Sequence, residues 1–178
     1  MRTPEDHPTD ADDLIRIGTV ASVDLAAARC TVLLDDDSET GPVRWIAPRM
    51  GAARVWLAPS EGEQVVLLCP AGEVAGALVL GGLVCNPNPA PAASNIALID
   101  FADGAALSYD PASHALTFTL PGGGTLAIVA PGGVSIEGDV AVTGTVTASE
   151  DVIGGGKSLK THRHTGVQAG GAISGPPQ

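Results

Sequence analysis

Aromatic side chains are scarce in this sequence: Phe, Trp and Tyr account for 3% of 178 residues, against 44% for apolar residues as a class. Any core must therefore be packed from Val, Leu, Ile and Ala, and a surface that stacks bases or sugars has few rings to draw on. Basic residues are scarce as well, 9 Lys and Arg against 20 Asp and Glu, for a net charge of −11. That balance repels phosphate backbones, which argues against nucleic acid as a partner and against electrostatic docking onto an anionic bilayer. Cysteine is limited to Cys30, Cys69 and Cys85. An odd number, apolar surroundings and no C-x-x-C spacing read as buried free thiols from a reducing compartment, not as a disulfide framework. No apolar run approaches the ~20 residues of a membrane-spanning helix. The stretch Met1 to Asp13 is polar and acidic, unlike a secretory signal, and reads as a flexible lead.

Glycine and proline, by contrast, are plentiful: 23 and 14 residues that interrupt nearly every apolar run. Short strands joined by turns follow from that punctuation, and apolar spacings of three and four that would make amphipathic helices are rare. The fold class is all-β. In the first half, five strands are expected at Ile15–Val23, Cys30–Asp35, Val43–Ala47, Gln64–Leu68 and Val74–Leu80. Five short strands in about 75 residues suit an OB-like barrel over residues 14–85, since closure removes exposed edges. Trp45 and Trp56 read as core or inter-subunit packing rather than as base-stacking platforms, given the acidic charge. Residues 86–95, opening Asn-Pro-Asn-Pro-Ala-Pro, form a semi-rigid linker that marks a domain boundary.

Beyond the linker the pattern changes. Leu116, Phe118, Leu120, Leu126, Ile128, Val134, Ile136, Val140, Val142, Val146, Ala148 and Val152 all carry even numbers, while Ser135, Glu137, Asp139, Ala141, Thr143, Thr145, Thr147 and Ser149 fill odd ones. Strict alternation gives an extended chain one apolar and one polar face. So thin a ribbon cannot bury its apolar face alone and leaves its edges unpaired. Several identical chains wrapped about one axis solve both problems, giving an intertwined β-helical needle over residues 96–153.

The last segment, 154–178, contains His162 and His164, two apart, so that on an extended strand both imidazoles would share a face while Arg163 points away. On a three-fold axis such a pair would bring six neutral nitrogens to one point. That set suits a first-row ion such as Fe(II) better than Zn(II), which prefers four ligands in structural sites.

The ending His162-Arg-His164-Thr-Gly-Val-Gln, with its Gly-rich, Pro-Gln-terminated tail, resembles the baseplate assembly protein V family. These are the central spikes of contractile phage tails, related to the spike of type VI secretion systems. The likeness extends over nearly the whole chain, though the barrel half is generic. It implies a homotrimer whose tip holds one iron ion through His162 and His164 of each subunit, and a spike that joins baseplate hub and tail tube proteins in the virion tail and pierces the host outer membrane. Arg163 is a departure, standing where a small polar residue would be expected.

Catalytic patterns do not assemble. Gly154-Gly-Gly-Lys157-Ser158 would need glycine at 151 for a phosphate loop, and that position is Asp151. Ser135 lacks a nucleophile elbow, because Glu137 follows where glycine belongs. His114 and His7 stand alone, and the acidic runs Asp35–Asp37 and Asp12–Asp13 read as solvated. A non-enzymatic, structural role is therefore expected. The competing readings are a trimeric fibre tip that binds a surface glycan, disfavoured because no aromatic follows Phe118, and a metalloenzyme, which would need a vacant coordination position.

Overall fold

A computed structural model of the chain describes residues 11–35, 37–163, 166, 170 and 171, with side chains from Asp13 onward. The chain divides into two compact units, Met1–Thr125 and Leu126–Gln178.

The regular structure of the first unit is mostly strand. After one helical turn, α1 (Ala11–Leu14), come β1 (Ile15–Asp24), β2 (Arg29–Leu34), β3 (Arg44–Trp45), β4 (Gln64–Leu68) and β5 (Leu78–Gly82). They form one sheet in the order β2-β1-β4-β5-β3, antiparallel throughout except for the parallel pair β3 and β5. Ten-residue β1 serves two partners: its first half pairs with β4 and its second with β2, with a bulge between Val20 and Ser22. A bulge bends a strand and increases its twist, which lets one strand turn from one neighbour to the next. The sheet curls back on itself where Val43, just ahead of β3, exchanges hydrogen bonds of 2.9 and 3.0 Å with Cys30 in β2.

Alternation decides what lies inside. Cys30, Val32 and Leu34 of β2, Val65 and Leu67 of β4, and Val20, Val43, Cys69, Ala77 and Val79 are buried together. Thr40 is the buried polar residue among those described. Its hydroxyl accepts the Val32 N–H at 3.0 Å, so its burial leaves no bond unmade. Gly18 is required by proximity, since a Cβ there would lie 2.6 Å from both the Leu33 carbonyl oxygen and Val32 Cγ1.

Two expected strands are corrected. Val74–Gly76 is a 3-10 turn, and the strand begins only at Leu78. Gly72 and Gly76 bracket that run, and Ala71 stands at φ 59°, so the backbone is turning where the letters are apolar. The strand expected at Val43–Ala47 shrinks to Arg44–Trp45, because Pro42 and Pro48 bracket it and proline cannot donate to a ladder.

The proline-rich stretch lies against the barrel: the Asn88 amide donates to the Gly62 carbonyl at 3.0 Å, while the Cys85 N–H donates to the Asn88 carbonyl at 3.0 Å. Then follows an antiparallel meander of β6 (Ala97–Asp100), β7 (Ala106–Asp110) and β8 (Ala115–Thr119), in that order. Its second turn carries His114 at φ 56°.

The second unit, with the few residues before it, bears on function. From Leu120 to Glu150 the chain makes no strand pairing among the described residues. The even-numbered apolar side chains consequently stand in solvent, with Val140 63%, Val142 55% and Val146 69% exposed. Val129, at 88%, is an apolar residue on the odd face and departs from the parity. The unit's ladder is a small hairpin, β9 (Ile153–Gly154) and β10 (Lys157–Ser158).

Candidate metal-binding apex

The apical segment is organised around this hairpin. Gly155 and Gly156 link its strands with φ of 56° and 77°, the two positive values that a type I′ turn demands. The sequence Gly154-Gly-Gly-Lys157-Ser158 is thus a chain reversal, and among the described residues no helix follows it to cradle a phosphate. The ladder continues one step past the strands, where the Leu159 N–H donates to the Val152 carbonyl at 2.9 Å.

Asp151 closes the open end. Its Oδ1 accepts the N–H of Val152 at 2.8 Å and, across the hairpin, the N–H of Lys160 at 3.1 Å. The polar Ser158 hydroxyl and these backbone groups together hold the carboxylate below the usual aspartate range. Ser158 also caps the turn that follows: its Oγ accepts the Thr161 N–H and the Thr161 hydroxyl, each at 2.9 Å.

That turn delivers His162. Its N–H reaches back to the Ser158 carbonyl at 3.1 Å, completing one helical turn. The chain is therefore coiled into residue 162, not extended as the alternation had implied. The His162 Nδ1 lies 3.1 Å from the carbonyl oxygens of both Ser158 and Leu159. Carbonyls only accept, so these contacts require the proton on Nδ1, and the lone pair then belongs to Nε2. A histidine with one ring nitrogen held by backbone oxygen is the form that metal sites use. His162 is exposed, as is Arg163. His164 lies outside the described residues, so the pairing of the two imidazoles is not described. Among the described residues no group of three or more His, Cys, Asp or Glu side chains converges.

Charge at this end runs opposite to the rest of the chain. From Val152 onward there are three basic residues, Lys157, Lys160 and Arg163, and no carboxylate, against six basic and twenty acidic residues before it.

Elsewhere, the residues singled out in the sequence fall into structural roles. Cys30 and Cys69 are buried free thiols in the barrel core, both with pKa pushed up chiefly by burial, which makes poor nucleophiles or ligands of them. Cys85 is a free thiol at half-burial. The Trp45 and Trp56 rings lie 5.4 Å apart at 60°. Trp45 packs against the core, whereas Trp56 is 51% exposed and fills none of it. Ser135 is exposed. Sequence reasoning passed over Asp151 and Ser158. The available signal was Ser158 standing three residues before Thr161 and four before His162, the spacing of a capped turn.

Comparison with known proteins divides along the same lines. Residues 16–83 match the type VI secretion system/phage-baseplate injector OB domain, which spans the five-stranded sheet. Residues 158–178 match the GpV Apex motif, beginning at the serine that caps the turn. Over 199 aligned positions the chain is 33% identical to the Spike protein of Escherichia phage P2, covering 92% of this chain and 92% of that protein.

Proposed function

The chain belongs to the phage-baseplate spike family, and on that footing we propose that it is the central spike of a contractile tail, assembled as a homotrimer, which plugs the tail tube and pierces the host outer membrane on contraction. The OB domain, residues 14–85, would dock baseplate hub and tail tube proteins. Residues 96–153 would continue as needle, in its later part an intertwined β-helix, and 154–178 would form the metal-holding apex. The role is mechanical and not enzymatic.

One observation carries the reading. The even-numbered apolar stripe from Leu126 to Ala148 is exposed along a stretch that has no strand partner among the described residues. Apolar surface on this scale needs a cover, and further copies of the same stripe supply it along with partners for the backbone. The charge distribution agrees: the basic end is the one that would meet a phosphate-bearing envelope, while the acidic remainder stays soluble.

The donor chemistry at the apex fits iron. His162, presenting Nε2 in the tautomer its backbone contacts impose, and His164 are the residues that would hold it. Bound there, iron would supply a cross-link between chain ends that otherwise fray. The test is native mass and metal content of the full chain purified without chelator. Three chains with one iron are expected; a monomer, or one metal per chain, overturns the proposal.

A further inference from the structure

Asp151 lies eleven residues before His162, yet both are hydrogen-bonded to the same peptide unit, Asp151 to the Lys160 N–H and His162 Nδ1 to the Leu159 carbonyl. The carboxylate's bond to the Val152 N–H is local and by itself an ordinary turn feature. The other is not local: the Lys160 N–H comes from across the hairpin, at 3.1 Å. Ser158 is the junction. Its hydroxyl takes the protons of the Thr161 N–H and O–H, while its carbonyl, with that of Leu159, takes the proton on His162 Nδ1.

The imidazole's tautomer and direction therefore depend on the carbonyl groups of Ser158 and Leu159. The Leu159–Lys160 peptide in turn is tied to the opposite side of the hairpin through Asp151. Resting on the reading of His162 as a metal ligand, we infer that Asp151 is a positioning residue for that ligand, holding the apical turn in the form that presents Nε2. A bystander carboxylate would touch solvent or its own strand only.

The test uses the full chain, Fe(II) as the probe, and four variants: Asp151→Ala, Asp151→Asn, His162→Ala and, as a control carboxylate on the exposed chain, Asp139→Ala. Two quantities are read: the rate at which a chelator strips Fe(II), and the Nδ1/Nε2 tautomer of His162 by nitrogen chemical shift in metal-free protein. Asp151→Ala should speed iron loss about 10- to 100-fold, the range for losing a group that orients a metal-bound histidine. It should also mix the tautomers. Asp151→Asn keeps an oxygen that accepts the same N–H groups and should rescue both readouts, whereas Asp139→Ala should change neither. Wild-type release and tautomer in Asp151→Ala, or equal effects from Asp139→Ala, would overturn the inference. If His162→Ala holds iron as firmly as wild type, the ligand reading has failed instead. The metal-free tautomer then still decides the role of Asp151: mixing in Asp151→Ala supports positioning of the ring, and no mixing refutes it.

Discussion

Gly138 and Gly144 stand six residues apart with nearly the same backbone torsion, φ 128° and 129°. The side chains keep step with them: Val134, Val140 and Val146 recur at six, as do Ile136, Val142 and Ala148. A six-residue period is thus written into both the backbone and the apolar stripe, as a stacked β-structure requires. Both glycines occupy a region that L side chains rarely adopt.

Replacing Gly144 by Ala should therefore strain every chain of the assembly, by about 1–3 kcal/mol per copy. Gly132 is the internal control, because its φ is not in that region and a Cβ there meets nothing within 4 Å. Thermal unfolding of the full-length assembly should show a clear drop for Gly144→Ala and little change for Gly132→Ala. Equal melting of the two would mean that the repeated torsion has no structural role.

The parity of the stripe makes a sharper demand. Val142 is 55% exposed in the single chain and would face the proposed seam, while Thr143 would face outward. Val142→Asp would place an unpaired carboxylate in that seam on every chain, at a cost of several kcal/mol for each. Loss of the trimer in sedimentation is expected for Val142→Asp, and retention for Thr143→Asp. Indistinguishable behaviour at 142 and 143 would remove the reason for placing even-numbered side chains inward.

Much of this was legible in the sequence, and the failures have physical causes. Strand β4 was bounded to the residue and β1 to within one, because buried Val65 and Leu67 alternate cleanly and Gly18 crosses β2 too closely for a side chain. Val74–Gly76 was misread because apolar letters say nothing of torsion, and the glycines beside them turn the chain. The alternation beyond Leu120 is legible as parity, and the side chains it marks are exposed, without strand partners among the described residues. At the apex His162 was visible by residue type. Asp151 and Ser158 were not, because the Gly155–Gly156 reversal brings them together from opposite strands.

Asp151 also gives the apex an acid limit. Its folded pKa is depressed, first by the Ser158 hydroxyl and then by backbone N–H groups, below the ordinary aspartate value of about 3.9. The carboxylate's contribution is therefore fully present above the unfolded value and is lost as pH falls through the folded one. The Lys160 amide resonance should hold steady from neutral pH downward and shift only below about pH 3.9. In Asp151→Asn that acid limb should vanish. A Lys160 midpoint above the ordinary value would show that the carboxylate is not the group being titrated.

The apex should matter to penetration and not to assembly. A spike ending at Lys160 keeps the hairpin, the Asp151 contacts to Val152 and Lys160, and the whole apolar stripe, so the surfaces proposed for trimer formation and tail docking are untouched. What it loses is the completed turn at His162, the histidine pair and the Arg163 charge. Chain ends without a cross-link splay, and each backbone group then exposed to the bilayer core costs several kcal/mol. Particles carrying the truncated spike should form in normal yield and adsorb, yet deliver their contents less often than particles with the intact one. His162→Ala in the full-length chain divides the effect. If delivery falls as far as in the truncation, the cross-link is what counts; if it falls only partly, the basic tail contributes through the envelope's phosphates. Unchanged delivery on truncation would leave the apex without a role in piercing, and failure of particles to form would make it an assembly element.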